Sequence, residues 1–170
     1  MDKYKKLISN TVIFAIGTFS SKILVFLLMP YYTRVLTTEE LGTGDLVAQA
    51  ANLLIPLVSL GIVNGIIRFG LDRSAKKSDV LSTGLIVILA GFLILLPFYP
   101  LVDLIPMTSG YTILLYAYVL ASSMRSLFSQ FVRVRGYVRL YALDGILSTA
   151  MTILFNILFL TVFRLGITGY

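Results

Sequence analysis

Apolar residues along this chain come in five long runs, each bounded by a short polar stretch rich in turn-forming residues. The runs are Ile8–Pro30, Leu46–Phe69, Val80–Val102, Tyr111–Phe131 and Tyr141–Phe163. Each holds about 21 to 24 residues, enough to cross roughly 30 Å of hydrocarbon as a helix rising 1.5 Å per residue. Between them lie TTEELGTGD (Thr37–Asp45), DRSAKKSD (Asp72–Asp79), PMTSG (Pro106–Gly110) and RVRGYVR (Arg133–Arg139), too short to hold a separate domain. The pattern predicts an all-α polytopic membrane protein with five transmembrane helices, spans 1 to 5. Thr37 and Glu40 have the spacing of a capping box and predict a helix start at that point.

Polar positions inside the runs follow helical spacing. Span 1 carries Thr11, Ala15, Thr18 and Lys22 on one narrow stripe, flanked by Asn10, Gly17 and Ser21. Span 2 aligns Asp45, Gln49, Asn52, Pro56 and Ser59, with Pro56 placed to bend the helix. Span 4 has the cleanest stripe, Tyr118, Ser122, Arg125, Ser129 and Arg133, while Asp144, Ser148, Thr152 and Asn156 of span 5 cover a wider arc. Span 3 has almost nothing polar in its centre and is expected to face lipid. A lysine or arginine at mid-bilayer costs roughly 2.5 to 3.5 kcal/mol on insertion scales, so Lys22 and Arg125 call for a reason. Four striped helices predict a shared, water-filled cavity.

Simpler roles compete at each position. Serine and threonine in membrane helices often bond only their own backbone, and the G-x-x-x-G pair Gly61 and Gly65 suits helix packing. Arg68 and Arg133 lie near helix ends, where snorkelling accounts for them. Asp45 at a helix start would complement the dipole, and Asp144 would suit Arg125 as a charge partner. Lys22 is too deep to reach either interface easily.

Composition fixes the solvent: 58% of residues are hydrophobic, 13% are charged and mean hydropathy is +0.93. The chain lacks cysteine and histidine, which excludes disulfides and thiol chemistry and removes the commonest metal ligand and general base. The net charge of +6 sits in short groups between apolar runs, a pattern that sets topology and offers no face for nucleic acid. Lys3, Lys5, Lys6, Arg68, Arg73, Lys76, Lys77, Arg133, Arg135 and Arg139 fall on one side of the five spans. Only Arg34 and Arg164 fall on the other, so the amino terminus is expected in the cytoplasm. Tyrosines at 31, 32, 99 and 111 mark the outer interface and those at 4, 137 and 141 the inner one. Span 1, interrupted early by Ser9, Asn10 and Thr11 and followed by no small-residue cleavage site, is expected to be a retained helix.

No zinc-protease, nucleophile-elbow or phosphate-loop motif occurs, and no span holds a close carboxylate pair. Neither catalysis, a metal nor a cofactor is therefore expected. What remains is a cationic cavity opening to the cytoplasm, suited to the phosphate or diphosphate of an anionic amphiphile.

Three stretches carry a family resemblance: NTVIFAIGTFSSKILVFLLMPYYTRVLTTEELGTGDL, LVSLGIVNGIIRFGLD, and SQFVRVRGYVRLYALDGILSTAMTILFNILFL followed by LGITGY. Together they resemble the N-terminal lobe of bacterial polysaccharide-unit flippases, in the multidrug, oligosaccharidyl-lipid and polysaccharide exporter superfamily. The resemblance implies two pseudo-symmetric lobes, usually of six helices, around a cavity that alternates between membrane faces. It also implies a polyprenyl-diphosphate oligosaccharide as substrate, carried from the inner to the outer leaflet of the bacterial cell membrane. Lys22 in SSKIL resembles the basic residue that related flippases place in the cavity for the diphosphate, and Arg68 in IIRFG is similar to an arginine common at the end of helix 2. Arg125 rests on its stripe alone, and Gln49 and Asn52 join it as candidate substrate-binding residues. Asp45 and Asp144 are the candidates for ion or proton coupling. With five spans and an end where a sixth helix would start, the chain is expected to be an N-terminal part whose C-terminal lobe is missing. A drug exporter of the same superfamily, with Asp45 or Asp144 holding protons or organic cations, and a membrane scaffold without a cavity are the alternatives.

Overall fold

The computed structural model describes residues 11–12, 26, 28–72, 75–106 and 108–169. Among these, every regular element is helical. Helix α1 is described over residues 28–35. There follow α2 (Thr38–Ser59), α3 (Ile62–Leu71), α4 (Lys77–Leu95), a 3-10 turn (Leu96–Phe98), α5 (Tyr99–Asp103), α6 (Thr112–Val134) and α7 (Val138–Ile157). A π-helical turn (Leu158–Val162) and a 3-10 turn (Gly166–Gly169) end the chain.

Among the described residues, three helical stretches are long and apolar enough to cross a membrane: Thr38–Ser59, Lys77–Asp103 and Val138–Val162. Helix α6 has 23 residues, but the polar stripe of span 4 lowers its apolar content. Large apolar side chains lie outermost, with Leu53 72% exposed and Ile113 70% exposed. Surface of this kind suits a lipid solvent.

Span 2 departs most from expectation. Its helix starts at Thr38, as the Thr37 and Glu40 spacing predicts and ahead of the apolar run from Leu46, because the capping box forms. The Thr37 amide donates to Glu40 Oε2 at 2.9 Å, and the Glu40 amide donates to Thr37 Oγ1 at 3.2 Å. That reciprocal pair outweighs the poor helix propensity of Gly42 and Gly44. The helix runs on through Pro56 and breaks at Leu60 and Gly61, both in the left-handed region at φ 47° and 68°, so one expected span is two helices. The break explains the glycine of the presumed packing pair: a Cβ on Gly61 would meet nothing within 4 Å.

The chain divides into two compact units, residues 1–41 with 137–170, and 42–136, the division falling within α2. In the second unit α3, α4 and α6 pack around Ile66, Ile88, Val119 and Leu127, joined by Ala51 and Val58 of α2. The close approaches use glycines the sequence did not single out. A Cβ on Gly84 would lie 2.6 Å from Leu127 Cδ1 and 2.9 Å from Ile66 Cδ1, and one on Gly91 would run into the Val58 carbonyl oxygen. Span 3 thus turns only part of its surface outward: Ile86, Leu93 and Ile94 are exposed, while Gly84 and Ile88 lie in the core. At its far end the Tyr99 amide bonds Leu96 O, which frees the Leu95 carbonyl; the buried Tyr116 hydroxyl donates to it at 3.1 Å.

In the first unit Tyr32, Leu36 and Leu160 form a small core. Asn156, expected to face a cavity, is instead buried and donates through Nδ2 to the Tyr32 hydroxyl at 2.6 Å. The Tyr31 hydroxyl and Thr161 Oγ1 lie 2.5 Å apart. The adjoining π turn closes with the Phe163 amide on Leu158 O at 3.0 Å.

Candidate functional site

Lys22, the first candidate from sequence, lies outside the described residues. Of the others, Asp45, Gln49, Asn52, Arg68 and Arg125 belong to the second unit and Asp144 to the first.

Helix α2 turns Val47, Ala51, Leu54 and Val58 to the core. At 100° per residue the line through Asp45, Gln49, Asn52 and Pro56 lies more than a quarter-turn from that face, and all four residues are exposed. Only the last member of the expected stripe turns in: Ser59 is buried, and its hydroxyl donates to Pro56 O at 3.4 Å. Because α2 starts at Thr38, Asp45 sits two turns inside the helix. The helix-start explanation for its charge falls away, since the dipole acts within the first turn.

Helix α6 repeats the arrangement. Thr112, Leu115, Tyr116, Val119, Ser123 and Leu127 are buried along one face. Tyr118, Arg125 and Arg133 are exposed, with Ser122 and Ser129 half-buried between them. The stripe extends about 22 Å along the helix at 1.5 Å per residue. It carries two guanidiniums and three hydroxyls, donors in the arrangement that phosphate oxygens accept. Polar groups also occur on the packed side, where the sequence stripe gave no reason to look. Ser123 Oγ and Gln130 Oε1 are buried there without a hydrogen-bond partner among the described residues.

Arg68 stands apart from both stripes. It is exposed in the last turn of α3, where a cation complements the carbonyl end of the helix, and its guanidinium lies 5.8 Å from the centre of the Phe69 ring. Asp144 is half-buried in the second turn of α7. Among the described residues no group of three or more acidic side chains is disposed to hold a metal ion.

Among the described residues the candidates thus fall into exposed polar lines on α2 and α6, one cation at a helix end and the half-buried Asp144 of α7. Comparison with curated proteins and with solved structures yields no match. The family model described as polysaccharide biosynthesis protein matches residues 7–166, nearly the whole length, and the apolar helices agree with its membrane setting. This chain belongs to the polysaccharide biosynthesis protein family.

Proposed function

We propose that this chain forms part of a multi-pass transporter in the bacterial inner membrane, with its amino terminus in the cytoplasm. It moves a polyprenyl-diphosphate-linked oligosaccharide from the cytoplasmic to the outer leaflet, for assembly of cell-surface polysaccharide. The observation that supports this most is the α6 stripe, in which Arg125 and Arg133 line an exposed face of the helix. A cationic line of this kind is costly against lipid and favourable against water and a diphosphate. Family membership supplies the biosynthetic context. Gln49 and Asn52 on α2 offer amide groups suited to sugar hydroxyls, and Lys22 is the second cation for the diphosphate. Closing the cavity falls to a second lobe, as in exporters of this general architecture.

Cells that depend on this protein for surface polysaccharide provide the test. Arg125→Ala should leave the protein in the membrane at normal abundance while reducing export at least tenfold, and Arg125→Lys should keep part of the activity because the charge survives. Undiminished export by Arg125→Ala would contradict the role of the stripe. Loss of abundance in step with loss of export would make the arginine structural.

A further inference from the structure

A groove of about 500 Å³ opens between α3 and the first turns of α4, away from the residues invoked for transport. Its wall from α3 consists of Ile62, Gly65, Ile66 and Phe69, on one face at spacings of three and four; Val80 contributes from α4. Gly65 keeps the groove deep, since a Cβ there would meet only Ile62 at 3.5 Å and Phe69 at 3.9 Å. At the mouth the lining turns charged, with Lys76 and Asp79 side by side.

The two neighbouring lysines divide the work of the α3–α4 turn. Lys77 closes the end of α3, its ammonium donating to the Gly70 carbonyl and, at 2.9 Å, to the Asp72 carbonyl. Lys76 is exposed and lines the groove. Also at the mouth, Asp79 Oδ1 accepts the Ser78 hydroxyl at 3.0 Å, which steadies the carboxylate. Among the described residues, an apolar slot thus ends in one cation and one anion.

We propose that this groove is a binding site for a phospholipid with a phosphoethanolamine headgroup. One acyl chain lies along Ile62, Gly65 and Phe69, the phosphate meets Lys76, and the primary ammonium donates to Asp79. Charge complementarity selects this occupant. An anionic headgroup would satisfy Lys76 and be repelled by Asp79, while a choline headgroup has the right charges but no N–H to donate. The site lies where the chain leaves the apolar layer, at the depth of headgroups.

Native mass spectrometry of the detergent-purified chain, titrated separately with phosphatidylethanolamine, phosphatidylcholine and phosphatidylglycerol, tests the assignment. Phosphatidylethanolamine should bind about tenfold more tightly than either competitor, the difference that one charge-assisted hydrogen bond supplies. Asp79→Asn should erase its advantage over phosphatidylcholine and strengthen phosphatidylglycerol. Lys76→Ala should weaken all three. Gly65→Leu, which fills the slot, should abolish the tight site while leaving helical content by circular dichroism unchanged. Equal retention of the three lipids by the unmodified chain, or an unchanged preference in Asp79→Asn, would overturn the proposal. Because Arg125 takes no part, either result leaves the transport reading untouched.

Discussion

The two faces of α6 differ in what they demand of their surroundings. The packed face, Leu115, Val119 and Leu127, meets α3 and α4 across a seam made tight by Gly84, and its apolar surface is satisfied inside the unit. The second face, a little over a quarter-turn away, sets the exposed Arg125 and Arg133 beside the half-buried Ser122 and Ser129. Helix α2 repeats the contrast, Ala51 and Val58 inward against Gln49 and Asn52 outward. Packing in a membrane rests on close contact, because lipid competes equally for apolar surface. The seam should therefore be sensitive to volume and the stripes insensitive to it.

Substitution at the packed faces, of which the α2–α4 contact at Gly91 is the tightest, should give the largest effect. Gly91→Leu would drive a side chain into the Val58 backbone, which has no rotamer to yield, and should cost on the order of 3 kcal/mol. A fall in the thermal midpoint of the detergent-solubilised protein would register it, and an unchanged midpoint would mean that α2 and α4 are not held by that contact. At the other extreme, Gln49→Trp adds comparable bulk on the open face of α2 and should shift stability by less than about 0.5 kcal/mol. A drop in that variant as large as the one at Gly91 would erase the distinction between seam and stripe.

Helical periodicity made the stripes legible, because a polar residue repeated every three or four positions in an apolar run has few other readings. The start of α2 was legible as well, in Thr37 and Glu40, although the Gly-rich stretch that follows looked like a loop. The break at Leu60 was not. Gly61 followed by Gly65 carries the spacing of a packing motif, and nothing local distinguishes a glycine chosen for a left-handed turn from one chosen for close approach. Gly84 and Gly91 escaped notice for the converse reason: they pack against residues distant in sequence, with no motif to announce them. The interior role of Asn156 depends on Tyr32, more than a hundred residues away. Partners at that separation cannot be read from spacing along one helix.

The central claim is that the α2 and α6 stripes face water within the membrane while the exposed apolar surface faces lipid. The chain has no cysteine, so single substitutions can report on each surface directly. Arg125→Cys, Gln49→Cys and Leu93→Cys should be compared in membranes by their rate of reaction with a membrane-impermeant, water-soluble thiol reagent applied from the cytoplasmic side. The expected result is rapid labelling at positions 125 and 49, and negligible labelling at position 93, which is 64% exposed but to lipid. Silence at position 125, or equal labelling at all three, would contradict it.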